Sequence, residues 1–502
     1  METAGGSVMV SSNLAFQLEV TTQPKIEVQE SPVKWCSVSL SDVVSRGKRL
    51  EASVFDVEAK QAREKISKGI YGTVALAGDN GLIETAYYPG WIQRSRLKRI
   101  YCDREYGEGF YLPSQMTDIY PKPEKYISRL ADCDMDELRL KKNTLLLTRS
   151  GTIGSVAYVS KTLDRCVFSD DVIRITFKEQ YDLGYVYAFL KSKVGNLILR
   201  TNGYGSVITH IEPGHLEEIT VPNAPIELRK RVNDLIVRSY ALRDESNEMI
   251  DEATQLLVGE LHLPPIYKME KSDSTVDTYS VKLSNMNLRL DASYHVPIVD
   301  AIIAHLHQNA DEVTTIGDPR ISKEVILPGR FKRVYVDEGH GRVFIGGKQL
   351  GELDPCNKKY LSLVHHGERI AKQLELHENM TLITCSGTIG KVTLVGKHWE
   401  SWTANQHIIR VVPANSEIAG YLNVFLASDY GHQLITRFTY GSVVDEIDDN
   451  HVRQIAIPLL KDRAVQKHIN ELALGANKKR YEAYCLEQEA LRIMNEEVIL
   501  AK

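Results

Sequence analysis

Apolar and polar residues follow two rhythms along this chain, and the two rhythms come in the same order twice. Short apolar runs come first: Thr144-Leu-Leu-Leu-Thr148, the turn signal Arg-Ser-Gly-Thr-Ile-Gly, then Ser155-Val-Ala-Tyr-Val159. Runs of this length bounded by Gly and small polar residues predict strand, turn, strand. Thr381-Leu-Ile-Thr384 and Lys391-Val-Thr-Leu-Val395 repeat the pattern, and residues 172–177 and 408–412 predict a further equivalent strand. Three- and four-residue apolar spacing predicts helices over 185–199 and 419–438. Each unit then closes on a long, narrow apolar stripe. Residues 227–260 carry Leu228, Val232, Leu235, Ile236, Tyr240, Met249, Ile250, Leu256 and Leu257. Residues 462–500 carry Val465, Ile469, Leu472, Tyr481, Tyr484, Leu486, Leu491, Ile493 and Met494. Helices of this length span ~50–58 Å. A stripe that narrow calls for a partner helix, and the nearest is its own duplicate.

The repeat is also explicit in the residues. Cys36-Ser-Val-Ser-Leu-Ser-Asp42 returns as Tyr279-Ser-Val-Lys-Leu-Ser-Asn285, and Arg49-Leu-Glu-Ala-Ser53 as Arg289-Leu-Asp-Ala-Ser293. Arg99-Ile-Tyr101 returns as Arg333-Val-Tyr335, and Lys125-Tyr-Ile-Ser128 as Lys359-Tyr-Leu-Ser362. Ser150-Gly-Thr-Ile-Gly154 and Tyr204-Gly-Ser-Val207 return unchanged at Ser386 and Tyr440. The order is kept and the offset drifts only between 243 and 234 residues, so the chain is a tandem duplication. The expected fold is α+β: two pseudo-symmetric mixed α/β domains separated by two long helices that form an antiparallel coiled coil. The expected boundaries are a flexible extension at 1–34, a first domain at 35–224, a helix at 225–262 and a Pro- and Ser-containing linker at 263–278. A second domain at 279–460 and a second helix at 461–502 complete the chain.

Composition narrows the function classes. The 502 residues are 43% hydrophobic and 25% charged, which excludes collagen-like and wholly disordered chains. No run approaches 18 uncharged apolar residues, so no membrane span is expected. The N-terminus lacks a basic stretch before a hydrophobic block, so no secretory leader is expected. The seven cysteines are scattered, odd in number and free of Cys-x-x-Cys, which fits reduced thiols, a cytoplasmic setting and no structural zinc. Gly-x-Gly-x-x-Gly, the P-loop, His-Glu-x-x-His and Gly-x-Ser-x-Gly are all missing. Leu263-Pro-Pro-Ile266 and Asn223-Ala-Pro-Ile226 fall short of an amino-methyltransferase motif. His365-His366 fits loop surface better than a metal site. The one string that resembles a nuclease metal site, Asp56 with Glu58 and Lys60, sits in a segment that reads helical. The chain is expected to be non-catalytic, with no metal and no cofactor.

The net charge of −5 speaks against nucleic acid, but local charge does not. Residues 91–104 carry Arg94, Arg96, Lys98, Arg99 and Arg104 against Asp103 alone. Residues 320–348 carry Arg320, Lys323, Arg330, Lys332, Arg333, Arg342 and Lys348 against three acids. Both stretches interleave aromatics and Gly (Trp91, Tyr101, Tyr106, Phe110; Phe331, Tyr335, Phe344, Gly346, Gly347) and overlap in the repeat register. Arg bridges phosphates or grips guanine bidentately, so duplex DNA fits; a solvated basic face is the plainer alternative. In Arg149-Ser-Gly-Thr-Ile-Gly the glycines suit a hairpin turn, while Arg149, Ser150 and Thr152, with Ser386 and Thr388 in the repeat, are candidate phosphate donors. Tyr204 and Ser206, with Tyr440 and Ser442, form the other candidate loop pair. Residues 243–260 set Arg243 against Asp244, Glu245, Glu248, Asp251, Glu252 and Glu260, a helix expected to face protein or solvent.

Ser-Gly-Thr-Ile-Gly, Arg-Leu-Asp/Glu-Ala-Ser, Ala404-Asn-Gln-His-Ile-Ile and a long helix after each globe together resemble the specificity subunit of type I restriction–modification systems, over about 36–502. That resemblance implies two target-recognition domains, each reading one half of an asymmetric, split site on double-stranded DNA. It implies that the helices set the spacer and dock two copies of a DNA adenine methyltransferase, which alone holds S-adenosylmethionine. A restriction, translocase or other defence subunit would join that core. Two departures stand out: the 1–34 extension, and Ser169-Asp-Asp-Val where the second unit has Asn405-Gln-His-Ile. The rival expectation is a pseudo-symmetric interaction scaffold or inhibitor without DNA readout.

Overall fold

The computed structural model describes residues 37–45, 48, 50, 52–89, 99–131, 134–151, 153–204, 209–269, 279–286 and 288–501. The chain forms two units, Met1–Gln61 and Ala62–Lys502. In the first, the described residues include a short helix at Leu40–Ser45. There Asp56 caps a helical turn, accepting from the Ala59 N–H (2.9 Å), so the segment with Glu58 and Lys60 is helical as the sequence reads.

The second unit holds the sheets of both repeats. Its first module holds β1 (Thr73–Ala75), β2 (Ile83–Tyr87), β3 (Tyr101–Cys102), β4 (Gly107–Tyr111), β5 (Lys125–Ser128), β6 (Leu145–Thr148), β7 (Val156–Tyr158), β8 (Val167–Phe168), β9 (Val172–Phe177) and β10 (Thr220–Pro222). They pair as β2-β9-β6-β7, β3-β5-β4-β8 and β1-β10. The second module holds β11 (Glu312–Thr315), β12 (Ser322–Ile326), β13 (Tyr335–Val336), β14 (Gly341–Ile345), β15 (Lys359–Ser362), β16 (Thr381–Thr384), β17 (Val392–Leu394), β18 (Thr403–Ala404), β19 (Ile408–Pro413) and β20 (Ala456–Leu459). They pair as β12-β19-β16-β17, β13-β15-β14-β18 and β11-β20, strand for strand the same plan. Even the register shift in β2, between Ile83 and Thr85, recurs in β12 between Ser322 and Glu324.

The apolar runs β6, β9, β16 and β19 are buried, and helices cover them: α1 (Tyr181–Lys191), α2 (Lys193–Thr201), α4 (Ser416–Ala427) and α5 (Asp429–Thr436), with α3 (Ile226–Glu260) lying between the pairs in sequence. The single helices expected over 185–199 and 419–438 are each broken in two. Ser192 and Ser428 leave the helical conformation, and their hydroxyls accept from Gly195 and Gly431 N–H (3.0 and 3.2 Å), capping α2 and α5. Each module also buries an arginine whose guanidinium donates to three backbone carbonyls. Arg174 reaches Glu137, Leu138 and Arg139, and Arg410 reaches Leu374, Ala404 and Ile408. Without a carboxylate nearby, burial pushes Arg410 down to about 9.

The long helices are α3, of 35 residues, and α6 (Arg463–Ile493), of 31, or ~52 and ~46 Å. They run antiparallel: Arg231 pairs with Glu497 (3.0 Å), the Ser239 hydroxyl donates to Ala483 C=O (2.7 Å), and Glu245 pairs with Lys479 (2.6 Å). Each carries its module on one asparagine. Asn233 Oδ1 accepts from Gly184 N–H (3.0 Å), and Asn470 Oδ1 accepts from Gly420 N–H (2.8 Å). The approach needs glycine, since a Cβ on Gly184 would lie 2.7 Å from Asn233 Cα, and one on Gly420 2.5 Å from the Asn470 carbonyl.

The acidic end of α3 is largely consumed within the chain. Asp244 accepts from Ser160 and Thr162, Glu245 pairs with Arg238 and Lys479, Glu248 with Lys161, Asp251 with Tyr120, and Glu252 lies 3.8 Å from His468. The protein that this face meets is its own.

Candidate nucleic-acid interface

Arg99 and Arg333 lie at the β3-β5-β4-β8 and β13-β15-β14-β18 sheets, and the two modules build the same device there. Arg99 enters β3 with its guanidinium over the Phe110 ring (5.4 Å); Arg333 enters β13 over Phe344 at the same distance. Lys125 covers Tyr101 (4.9 Å) and Lys359 covers Tyr335 (5.2 Å). The aromatic faces hold the cations by their quadrupoles; Phe110 and Phe344 are buried, whereas Tyr101 and Tyr335 are exposed. The lysine–tyrosine pair was not singled out from sequence as a binding element, although Lys-Tyr-Ile/Leu-Ser repeats in both halves.

The devices differ in what neutralises them. Arg99 donates to Asp170 Oδ1 (2.6 Å) and Ser169 Oγ (3.3 Å), whereas Arg333 donates to the neutral amide of Gln406 (2.7 Å). The departure at Ser169-Asp-Asp against Asn405-Gln-His thus decides whether the arginine keeps its charge for an outside anion.

The glycine turns carry the same contrast. Gly151 and Gly154 have φ of +80° and +102°, and Gly387 and Gly390 of +76° and +82°, so the glycines serve the β6–β7 and β16–β17 hairpins. In the first module Arg149 is held by Asp171 (2.9 Å) and Glu212 (2.6 Å) and lies over Tyr88 (4.4 Å). The Ser150 hydroxyl meets Asp171 Oδ1 (2.8 Å) and His210 Nδ1 (2.7 Å), and Tyr204 Oη donates to Glu212 (2.9 Å). Two carboxylates around one guanidinium make this corner anionic, and Arg149, Ser150 and Tyr204 all have partners within the fold. In the second module Cys385 stands where Arg149 does. There Ser386, Thr388 and Ser442 have no side-chain partner among the described residues, Thr388 and Ser442 are exposed, and so is Tyr440.

Among the remaining candidates, Lys332, Arg342 and Lys348 are exposed and have no acidic partner among the described residues. Arg330 touches Glu446 (3.3 Å) with most of its side chain in solvent. Arg104 pairs with Asp429 of the second module (3.2 Å), with more than half of each side chain in solvent. His365 and His366 also differ from the expectation of loop surface. They lie on a helix, Leu363–Arg369, where Ser362 Oγ meets His365 Nδ1 (3.0 Å) and His366 Nε2 accepts from Val334 N–H (3.1 Å), bracing the strand entered by Arg333. Arg94, Arg96, Lys98, Thr152 and Ser206 lie outside the described residues.

Among the described residues there is no group of three or more His, Cys, Asp or Glu side chains arranged to hold a metal, and no helix long and apolar enough to cross a membrane. Residues 107–231, from β4 into α3, match the family described as the type I restriction modification DNA specificity domain. Among solved structures the chain is similar to the S subunit of a type I restriction-modification system from M. genitalium: 13% identity, 85% of this chain and 98% of that one, TM-score 0.29. It is also similar to the HsdS subunit from Thermoanaerobacter tengcongensis: 11% identity, 85% and 100% coverage, TM-score 0.26. A shorter likeness, to the type IIG restriction endonuclease BpuSI, covers 44% of this chain and 32% of that one at 9% identity and a TM-score of 0.27. No curated protein matches the sequence. Residues 107–231 thus carry the match to the type I restriction modification DNA specificity domain, and the strand plan of that segment is repeated in the second half.

Proposed function

We propose that this chain is the recognition subunit of a methylation complex: each module reads one half of an asymmetric bipartite site on duplex DNA, and the helix pair fixes the spacer. The observation that carries this reading is the duplication of a DNA specificity domain around an antiparallel helix pair. A ~50 Å rod suits two readers in major grooves about one turn, ~34–36 Å, apart. In the second module Arg333, Lys332, Arg342 and Lys348 would supply phosphate and base contacts, with Arg330, Ser386, Thr388, Tyr440 and Ser442 around them. In the first, Arg94, Arg96, Lys98, Thr152 and Ser206 would do so. The chain itself would contribute no catalytic group; the helices would dock two copies of a DNA adenine methyltransferase that holds S-adenosylmethionine, with a restriction or other defence subunit beyond. Methylome sequencing of cells carrying the chain with its partner methyltransferase tests this. A split motif is expected, with one half-motif changing when one module is exchanged. A continuous symmetric motif would overturn the two-reader arrangement.

The rival reading, a scaffold without DNA readout, draws on one observation: the described candidates of the first module are neutralised within the fold. Duplex binding whose affinity falls steeply with salt would exclude it.

A further inference from the structure

The two modules touch each other directly, around the axis that relates them. Strands β3–β5 correspond to β13–β15 at an offset of 234 residues, and β6–β9 to β16–β19 at 236. By that correspondence Asp118 is the counterpart of Glu352. These two residues bridge to one another, and the neighbouring Ile119 N–H donates to Gly351 C=O (2.7 Å). A residue that faces its own counterpart marks the approximate twofold axis.

Ion pairs flank that axis. Arg104 meets Asp429 (3.2 Å), and Lys193 meets Glu338 (2.5 Å). Arg104 is the counterpart of Glu338, and Lys193 of Asp429, so one contact is made twice with its signs reversed. Closer in, Lys122 Nζ donates to Ala427 C=O (2.8 Å); its counterpart Cys356 lies beside Lys191, the counterpart of Ala427. At four equivalent places the first module therefore offers Arg104, Lys122, Lys191 and Lys193, and the second Glu338, Cys356, Ala427 and Asp429. Lys193 opens α2, where the helix dipole disfavours a cation, while Asp429 opens α5, where it favours an anion. The sign at Lys193 thus answers to Glu338 and not to its own helix.

The buried layer agrees. Glu487 on α6 is wholly buried, pairs with both Lys191 and Arg243, and accepts from Tyr187 Oη (2.8 Å). The long helices correspond at an offset of 237, matching Asn233 with Asn470, so the counterpart of Glu487 is Ile250. A first module facing a copy of itself would set Lys191 and Arg243 against Ile250, two buried cations with no carboxylate. It would also set Arg104 against Lys193 and Lys122 against Lys191. Exposed pairs contribute little each; an uncompensated buried charge is strongly destabilising.

We infer that this surface selects the unlike half: the basic face of the first module accepts the acidic face of the second and rejects a second copy of itself. Discrimination comes from repulsion in the wrong pairing as much as from attraction in the right one. One assembly then always holds one reader of each kind.

Carbodiimide cross-linking of the full-length chain tests this, read by mass spectrometry at Lys391–Asp118, which spans the modules (3.6 Å) and which no variant alters. The like-faced variant Glu338→Arg/Asp429→Lys is expected to lose that cross-link about tenfold and to gain radius in small-angle scattering. The inverted variant, which adds Arg104→Glu and Lys193→Asp to those two, is expected to cross-link as wild type. Recovery with more substitutions separates pairing from misfolding. The inference is overturned if the like-faced chain cross-links as wild type, and equally if the inverted chain is as poor as the like-faced one.

Discussion

Both modules lay an arginine over a phenylalanine at the same distance, yet they leave different charges behind. Arg99 is spent on Asp170, and Arg333 rests on the uncharged Gln406. At the next corner Arg149 lies between two carboxylates, and the second module has Cys385 there. The lesson is that a duplicated scaffold keeps its internal frame while the surplus charge at its surface drifts. A basic residue in both halves of a repeat is therefore not evidence of the same role in both. Arg104, an expected DNA contact, also pairs with Asp429 of the other module.

The largest effect expected of the comparison is a sameness. Arg174→Ala and Arg410→Ala each leave three carbonyls without their donor, all buried for Arg410 and buried or part-buried for Arg174, and each should destabilise the chain by about 3 kcal/mol in thermal or urea unfolding. A large loss in one module and none in the other would break the equivalence of the frames.

The surface should show the opposite. Lys332→Ala/Arg342→Ala/Lys348→Ala should weaken duplex binding on the order of 30-fold near physiological salt and flatten the salt dependence by ~0.9 in slope for each phosphate no longer neutralised. Arg99→Ala/Arg149→Ala should lower the melting temperature while changing the slope far less. Equal flattening by the two variants in an anisotropy titration would erase the asymmetry.

A finer exchange uses the arginine partners alone. Gln406→Glu gives Arg333 a carboxylate, and Asp170→Asn removes the one from Arg99. Affinity should fall about three- to fivefold in the first and rise by a similar factor in the second, with melting temperatures nearly unmoved. Shifts in the same direction would show that these partners do not set the available charge.

The smallest expected difference is in acid. Burial against Tyr484 pushes His398 of the second module down to about 4, and Thr162 stands at the counterpart position. The unfolded chain binds this proton near pH 6.5 and the folded chain does not, so this stability is complete above about 6.5 and is lost as pH falls toward 4. Asp118 and Glu352, raised by burial to about 6 and about 7, act with the opposite sign. Comparing wild type with His398→Gln removes their contribution. Between pH 7 and 5 the wild type should lose on the order of 1 kcal/mol more than the variant; equal losses would mean that His398 is not masked.

The duplication, the strand-rich grammar and the two long helices were legible because periodicity and repetition are local properties. The breaks at Ser192 and Ser428 were not, since a serine inside an apolar period looks like a tolerated interruption until its hydroxyl is seen to cap the next helix. Charge neutralisation was illegible for another reason. Arg149 finds Glu212 63 positions away and Arg104 finds Asp429 325 away, distances that no count over a window can reach. The acidic run on α3 was expected to face protein or solvent; which protein was illegible, since its partners at Ser160, Thr162, Lys161, Tyr120 and Lys479 lie far away in sequence.

The glycine seats at Gly184 and Gly420 leave no slack between each module and its helix. Two modules seated this closely on paired helices would keep a fixed separation. On the proposed two-reader arrangement, a duplex whose two half-sites are slightly mis-spaced or mis-phased would have to be twisted or bent to fit. That deformation is on the order of 1–6 kcal/mol for a bend of tens of degrees and depends on the bases being deformed. The untouched spacer would thereby acquire a sequence preference of its own, written in the stiffness of the DNA.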